Sequence, residues 1–208
     1  MKQTRQTTAL RDPADSADGR TMRRNRNRTA VITALLEMVR EGDLHPGAAE
    51  IAERAGVSHR SIFRYFDDLD DLVRTTIDQA FRDAAPISSI PELADGTLDE
   101  RIANLVDARL ALYAHVDGPI QLARMRSYSI PSIDDEIASI VEHFREQLHQ
   151  HFAPELSGID HPDREFIVDG ILVLTSYDSY AMHLRLLASS LERIGASWIT
   201  GVSALLRN

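Results

Sequence analysis

Cysteine is absent from the 208-residue chain. This excludes disulfides, a thiol nucleophile and thiolate-held zinc or iron–sulfur clusters. Chain breakers are few, with 10 glycines and 8 prolines, and valine is scarce, with 10 residues against 24 alanines and 22 leucines. Such a composition argues against a strand-rich fold and for helix, since Ala and Leu are the best helix formers. No apolar run approaches the roughly 20 residues of a membrane helix. The opening MKQTRQTTALRDPADSADGR has no apolar stretch, so no secretory leader and no membrane association are expected, and the cytoplasm is the expected location. Neither a Gly-x-Ser-x-Gly elbow nor a glycine-rich phosphate loop occurs, so no enzyme and no cofactor are expected.

What is there suits a globular protein with a real core: 43% hydrophobic and 26% charged residues. The net charge of −9 by itself argues against a nucleic-acid partner, but it is unevenly spread. Residues 1–66 hold 12 basic and 8 acidic side chains, a net of +4, whereas residues 67–208 hold 11 and 24, a net of −13. A basic front on an acidic body is an asymmetry with a possible partner behind it. All basic residues except Lys2 are arginine, which reflects composition bias in part.

Apolar periodicity reads as helix throughout, so the expected fold is all-α. Residues 1–19 are polar, with Pro13 and Gly19, and are expected to be a disordered tail. Val31, Ile32, Leu35, Leu36 and Val39 define a first helix ending before Gly42, with arginines 20, 23, 24, 26 and 28 at its start. Two short helices follow, one ending near Gly56 and one from Ser58 to Phe66. A longer one is capped by Asp67 and Asp68 and runs to about Asp83. Residues 84–97 contain two prolines and a glycine and read as a linker. This divides the chain into a DNA-binding unit over 20–83, formed by three helices with a connecting helix, and a larger helical bundle over 98–208. In the bundle, Thr97-x-x-Glu100 is a capping box. Gly118-Pro119 is expected to break the helix it opens. Further helices are expected over Pro131–Phe152 and 162–188, and a last one is expected to be capped by Ser189.

The informative stretch is Ala48 to Phe66, AAEIAERAGVSHRSIFRYF. Two short helices joined through Gly56, with Ile51, Ala52, Val57 and Ile62 between them, have helix-turn-helix spacing. Packed steeply, they leave the second helix protruding enough to enter a major groove ~12 Å wide. His59, Arg60 and Arg64 are left outward with Ser61 beside them, and Ser58 caps the helix; Arg can pair with guanine, and hydroxyls such as those of Ser58 and Ser61 can hold phosphates. Over residues 50–72, EIAERAGVSHRSIFRYFDDLDDL, the chain resembles the tetracycline-repressor (TetR) family of bacterial regulators. Ile51-Ala52, Ala55 to Ser58, Ser61, Phe63, Tyr65, Phe66 and Leu72 carry the likeness. It implies a palindromic double-stranded DNA operator, a homodimer and release by a small-molecule effector. It also implies DNA contacts from Arg24, Arg28, Phe63 and Tyr65. Two positions depart from the family pattern: Phe63 stands where Tyr is usual, and Leu69 where Lys is usual. The arginines at 20–28 and the Tyr65 hydroxyl are expected to replace those phosphate contacts.

The bundle has no motif of its own. Tyr113, Arg124, Tyr128, Tyr177, Tyr180, His183 and Trp198 are polar-tipped residues among apolar ones; Tyr113, Arg124, Tyr128, Tyr177 and His183 are candidate effector contacts, or else core. Asp169 and Asp178 are candidate ligand contacts or interhelical partners. Leu184, Leu187, Trp198, Ile199, Val202 and Leu205 are expected at a dimer interface. His143, His149 and His151 do not share a helix face at ligand spacing, so no metal is expected. The alternative to a regulator is a helical protein–protein interaction module of the same fold that has lost DNA binding, suggested by the run Asp67-Asp68-Leu69-Asp70-Asp71 and by Leu69 and Phe63 standing where the family has Lys and Tyr.

Overall fold

The structure, a computed structural model, describes residues 13–207, with side chains from residue 21 onward. It is all-helical, with no strand among the described residues. The helices are α1 (Pro13–Arg40), α2 (Ala48–Arg54), α3 (His59–Tyr65), α4 (Leu69–Ser88), α5 (Leu98–Ser127), α6 (Pro131–His151), α7 (Ala153–Leu156), α8 (His161–Leu174), α9 (Tyr177–Ala181) and α10 (Leu191–Arg207), with a π-helical turn over Met182–Leu186. Two compact units divide between Thr76 and Ile77, inside α4. Of the expected tail, residues 1–12 lie outside the described residues, and 13–19 are helical backbone at the start of α1.

In the first unit α1, α2 and α3 pack pairwise. They bury Val31, Leu35 and Val39 of α1, Ile51 and Ala52 of α2, and Ile62 of α3. Each large side chain so removed from water stabilises the unit by about 1.5–3 kcal/mol. In the second unit α5 packs against α6, α9 and α10, and α8 against α6 and α10. One apolar cluster surrounds Tyr113, Tyr180 and Trp198. The other surrounds Leu105, Phe152, Ile171 and Val202.

The structure corrects several boundaries. α5 runs unbroken through Gly118-Pro119. A proline costs one helical hydrogen bond and crowds the carbonyl four residues back, but Pro119 is buried together with Val116, Leu122 and Ala123, and this packing carries the helix across. α4 likewise passes Pro86, which is exposed, and ends at Ser88, so residues 84–88 of the expected linker are helix. The expected helix 162–188 is instead α8, α9 and the π-helical turn. Ser190, not Ser189, caps α10, its Oγ accepting from Arg193 N at 3.3 Å. The Thr97–Glu100 capping box forms, Thr97 N donating to Glu100 Oε2 at 2.8 Å.

His151 ties the segment before α5 to α6. Its Nδ1 accepts from Ala94 N at 3.0 Å, which leaves Nε2 to donate to the Arg101 carbonyl at 2.8 Å. The bond accepted at Nδ1 requires the neutral ring, because protonation would occupy that lone pair. Burial is the main cause holding its pKa below the ordinary 6.5. The unfolded chain therefore binds the proton more readily, so the stability from His151 is full above 6.5 and is lost as pH falls from there through the folded value. In urea unfolding at pH 7.5 and 5.5, His151→Gln is expected to lose less stability between the two than the parent chain.

Candidate nucleic-acid interface and apolar cavity

The turn between α2 and α3 is fixed by Gly56, whose φ is +66°. An added Cβ there would meet nothing within 4 Å, so backbone conformation rather than space requires glycine. Val57 N then donates to Ala52 O at 3.0 Å, closing the end of α2. Ser58 caps α3 in extended geometry, and its hydroxyl lies 2.8 Å from that of Ser61. Ile62 and Tyr65 face inward. His59, Arg60, Phe63 and Arg64 face outward and are exposed, with Phe63 49% accessible and edge-on to His59 at 5.2 Å.

Tyr65 joins this helix to α1. Its hydroxyl accepts from Asn27 Nδ2 at 3.2 Å and from Arg64 Nη2 at 2.6 Å. Burial pushes the phenol pKa up, but the Asn27 and Arg64 hydrogen bonds and the charges of Arg64 and Arg24 outweigh it and lower the value. With both bonds arriving at the oxygen, the O–H remains available to donate. Arg28 is half-buried, its guanidinium 5.0 Å from the Phe66 ring centre, while Arg23, Arg24 and Arg26 are exposed. The Arg20 side chain lies outside the described residues. The acidic run after α3 caps α4: Asp68 Oδ1 accepts from Asp71 N at 2.7 Å, Asp71 Oδ2 from Asp67 N at 3.2 Å, and Asp71 pairs with Arg74 at 2.6 Å.

The second unit contains a cavity of about 710 Å³. Its wall is formed by α4 from Phe81 to Ser88 with Ser89 just after it, one face of α5, Ile137, Ile140 and Phe144 of α6, and the junction of α8 and α9. The junction is chemically specified. Thr175 Oγ1 donates to Ile171 O at 2.8 Å, Ser176 Oγ accepts from Ser179 N at 3.2 Å, and Tyr113 OH donates to Thr175 O at 3.0 Å. Tyr113 is so enclosed that burial pushes its phenol up to about 12. Asp178 at the start of α9 pairs with Arg124 at 2.6 Å.

The chain matches the family of bacterial regulatory proteins, tetR family, over residues 32–76. It is 30% identical over 146 residues to the HTH-type transcriptional regulator BetI of Escherichia coli O157:H7, covering 62% of this chain and 73% of that protein. The chain belongs to the TetR family. Its members are DNA-binding transcriptional regulators, and the matched segment contains α2 and α3 entire. Two solved structures share the fold. One is a transcriptional regulator from Rhodococcus sp. Rha1, with a TM-score of 0.65 at 16% identity over 88% of this chain and 96% of that one. The other is the multidrug binding protein EbrR complexed with imidazole, with a TM-score of 0.62 at 18% identity over 86% and 89%.

Within this TetR-family chain, Tyr113, Arg124 and Tyr177 border the cavity, as does Asp178. Tyr128 does not: it is 97% exposed at the end of α5. His183 sits in the π-helical turn, 3.5 Å from Ser189 Oγ, and is not in the wall. Asp169 is an interhelical partner of Arg145. Trp198 and Val202, expected at a dimer interface, are 0% exposed and belong to the protomer's own core. Leu184 and Leu205 are partly buried against the two clusters, whereas Leu187 and Ile199 are exposed. The sequence reading missed Arg109 and Phe144 as cavity residues. The signal was available, since Arg109 lies in helical register with Leu105, Leu112 and Val116 on an otherwise apolar face. Tyr113→Phe leaves the buried Thr175 carbonyl without this partner and is expected to cost about 1–3 kcal/mol, read from the urea midpoint.

Proposed function

We propose that the protein is a dimeric, ligand-responsive repressor acting in the cytoplasm, without enzymatic activity. α3 reads base edges of a palindromic operator while the arginines of α1 hold phosphates, and a small molecule in the cavity releases the DNA. The observation that carries this reading is the cavity together with α4. That helix begins at Leu69, shortly after α3 ends at Tyr65, and its last turns from Phe81 form part of the cavity wall. A dimer must hold its two recognition helices about one DNA turn apart, ~34–36 Å or a multiple of it. A ligand favouring another spacing weakens binding if it has differential affinity for the two states.

Exposed apolar side chains on the last helices support the dimer. Phe166 and Val173 of α8, Leu186 and Leu187 after it, and Leu191 and Ile199 of α10 are all at least 40% accessible. Paired about a two-fold axis, such faces suit a standard interface of ~1,600 Å². No helix among the described residues is long and apolar enough to cross a membrane. The alternative, an interaction module that has lost DNA binding, draws on the acidic run and on Leu69 and Phe63 standing where the family has Lys and Tyr. Asp68 and Asp71 have a capping task that accounts for them without it.

The outward side chains are given different roles. Arg60 is the base reader, Arg64 braces Tyr65, and Ser58, His59, Ser61, Phe63 and the Tyr65 hydroxyl contact backbone or base edges beside it. Arg24 and Arg28 serve phosphates. The test is a mobility-shift titration of the purified protein on genomic fragments at several salt concentrations. A few palindromic fragments are expected to be retained, with log K falling linearly in log salt. Arg60→Ala is expected to cost ~1–3 kcal/mol on that operator and to relax its sequence preference. Arg24→Ala is expected to weaken operator and random DNA alike and to lower the salt slope by about one. Equal retention of operator and random DNA by the parent protein, or a monomer at micromolar concentration in sedimentation, would overturn the reading.

A further inference from the structure

The cavity contains a charge that the protein itself does not balance. Arg109 borders the cavity and is 1% exposed. Its Nη1 donates to the Ser88 carbonyl at 3.1 Å, its Nη2 to Gln147 Oε1 at 3.1 Å, and its guanidinium lies 3.6 Å from the centre of the Phe144 ring. All three partners are neutral, and among the described residues no carboxylate forms an ion pair with it. Other arginines of this unit do have carboxylates: Arg101 has Glu155, Arg124 has Asp178, Arg145 has Asp169, and Arg185 has Asp117. Of the two arginines buried in this unit, Arg101 has Glu155 and Arg109, which borders the cavity, has no carboxylate.

The guanidinium is also held in place. Gln147 Nε2 donates to Ser88 O at 3.3 Å and lies 2.8 Å from His143 Nε2, which turns its Oε1 towards Arg109. Burial lowers the Arg109 pKa only to about 10, so the group stays charged at neutral pH. A guanidinium carries five N–H donors in a planar fork that matches a carboxylate, and the protein bonds above use two of them. Of the acids at the cavity, Asp178 is paired with Arg124, and Glu136 has a partner of its own. Beyond Arg109 the α5 wall is apolar through Leu112, Val116 and Ile120 as far as Arg124. Those fifteen residues span about 22 Å of helix.

We propose that the cavity binds an organic carboxylate with an extended apolar body, its head on Arg109 and its tail along α5. This deepens the repressor reading by naming the chemical class of the effector, and it rests on that reading only for the consequence at DNA. The occupant supplies the anion that the protein withholds. Tight binding and head-group selection are then the same interaction, because a neutral or cationic head leaves the buried guanidinium unbalanced.

The test is calorimetric titration of the full chain, without DNA, by three matched probes: decanoate, decan-1-ol and decylamine. Decanoate is expected to bind about tenfold to a hundredfold more tightly than decan-1-ol, and decylamine most weakly. Arg109→Met is expected to erase the advantage of decanoate over decan-1-ol while leaving alcohol binding in place. Gln147→Leu, which frees the guanidinium from its brace, is expected to reduce the same advantage. Equal binding of the three probes, preference for the amine, no binding of any probe, or a decanoate preference that survives in Arg109→Met would overturn the proposal. If Arg109→Met does not fold, the probe ranking on the parent chain and on Gln147→Leu decides it. Mobility shift with the same probes separates the two readings. Operator release by the alcohol as readily as by decanoate removes the anion assignment and keeps the repressor. A clear decanoate preference in calorimetry with no effect on DNA keeps the site and removes the ligand-responsive repressor.

Discussion

The second unit depends on where α8 stops. A helix that ends inside a protein leaves carbonyls without partners, and each must be satisfied for the end to be stable. Here the Thr175 carbonyl receives Tyr113 OH at 3.0 Å, and the Thr175 hydroxyl covers Ile171 O at 2.8 Å. Ser176 then starts α9 as its N-cap. The chain thus changes course after Thr175 at little cost, and Tyr177 and Tyr180 come to lie against Tyr113, each with ring centres 5.7 Å from it. Trp198 completes the cluster at 6.3 Å, its indole N–H donating to Ser179 Oγ at 3.1 Å. A straight helix over 162–188 would have none of this, and the cavity would lack the junction that forms part of its wall.

α5 is the counterpart of that junction. One face carries Leu105, Arg109, Leu112, Tyr113 and Val116, so a single helix supplies the core, the hydroxyl that holds the junction, and the cavity's buried cation. As a contribution to stability Arg109 is a poor choice. Enclosing a charge among neutral partners carries a desolvation cost that a well-packed apolar residue would avoid. Its presence makes sense through binding, where a charge already stripped of water and fixed by Gln147 discriminates strongly between ligand heads.

Much of the first unit was legible in the sequence. Gly56 marks a left-handed turn, Ser58 a cap, and Ile51, Ala52 and Ile62 the packed faces, because local rules suffice over twenty residues. The second unit was legible as helical, but not in its breaks. Gly118-Pro119 reads as a stop by local rules, yet tertiary packing around Pro119 overrides them. At Thr175-Ser176 the apolar periodicity continues across a real stop, whose deciding partner, Tyr113, is sixty-two residues away. The same limit applies to surfaces. Periodicity puts Trp198 and Val202 on an apolar face of α10, but only the fold tells whether that face meets the protomer's own core or a partner. Arg109 escaped attention because a charge is by default assigned to solvent, and its burial is a tertiary fact.

Charge in the first unit follows a similar logic of local against global. Taken as a whole, the net charge of −9 repels DNA. At physiological salt, however, an exposed charge farther than ~8 Å from a phosphate is largely screened. In the proposed docking, what acts on the backbone is therefore the set of arginines on α1 and α3 and the nearest carboxylates. Among those carboxylates, Asp71 is neutralised by Arg74 at 2.6 Å, and Asp68 is turned onto the backbone N–H of Asp71. Both also lie at a helix N-terminus, whose partial positive charge offsets them further. The acidic run is thus the cap of α4 before it is an obstacle to DNA, and a family role in DNA binding is compatible with a strongly acidic chain.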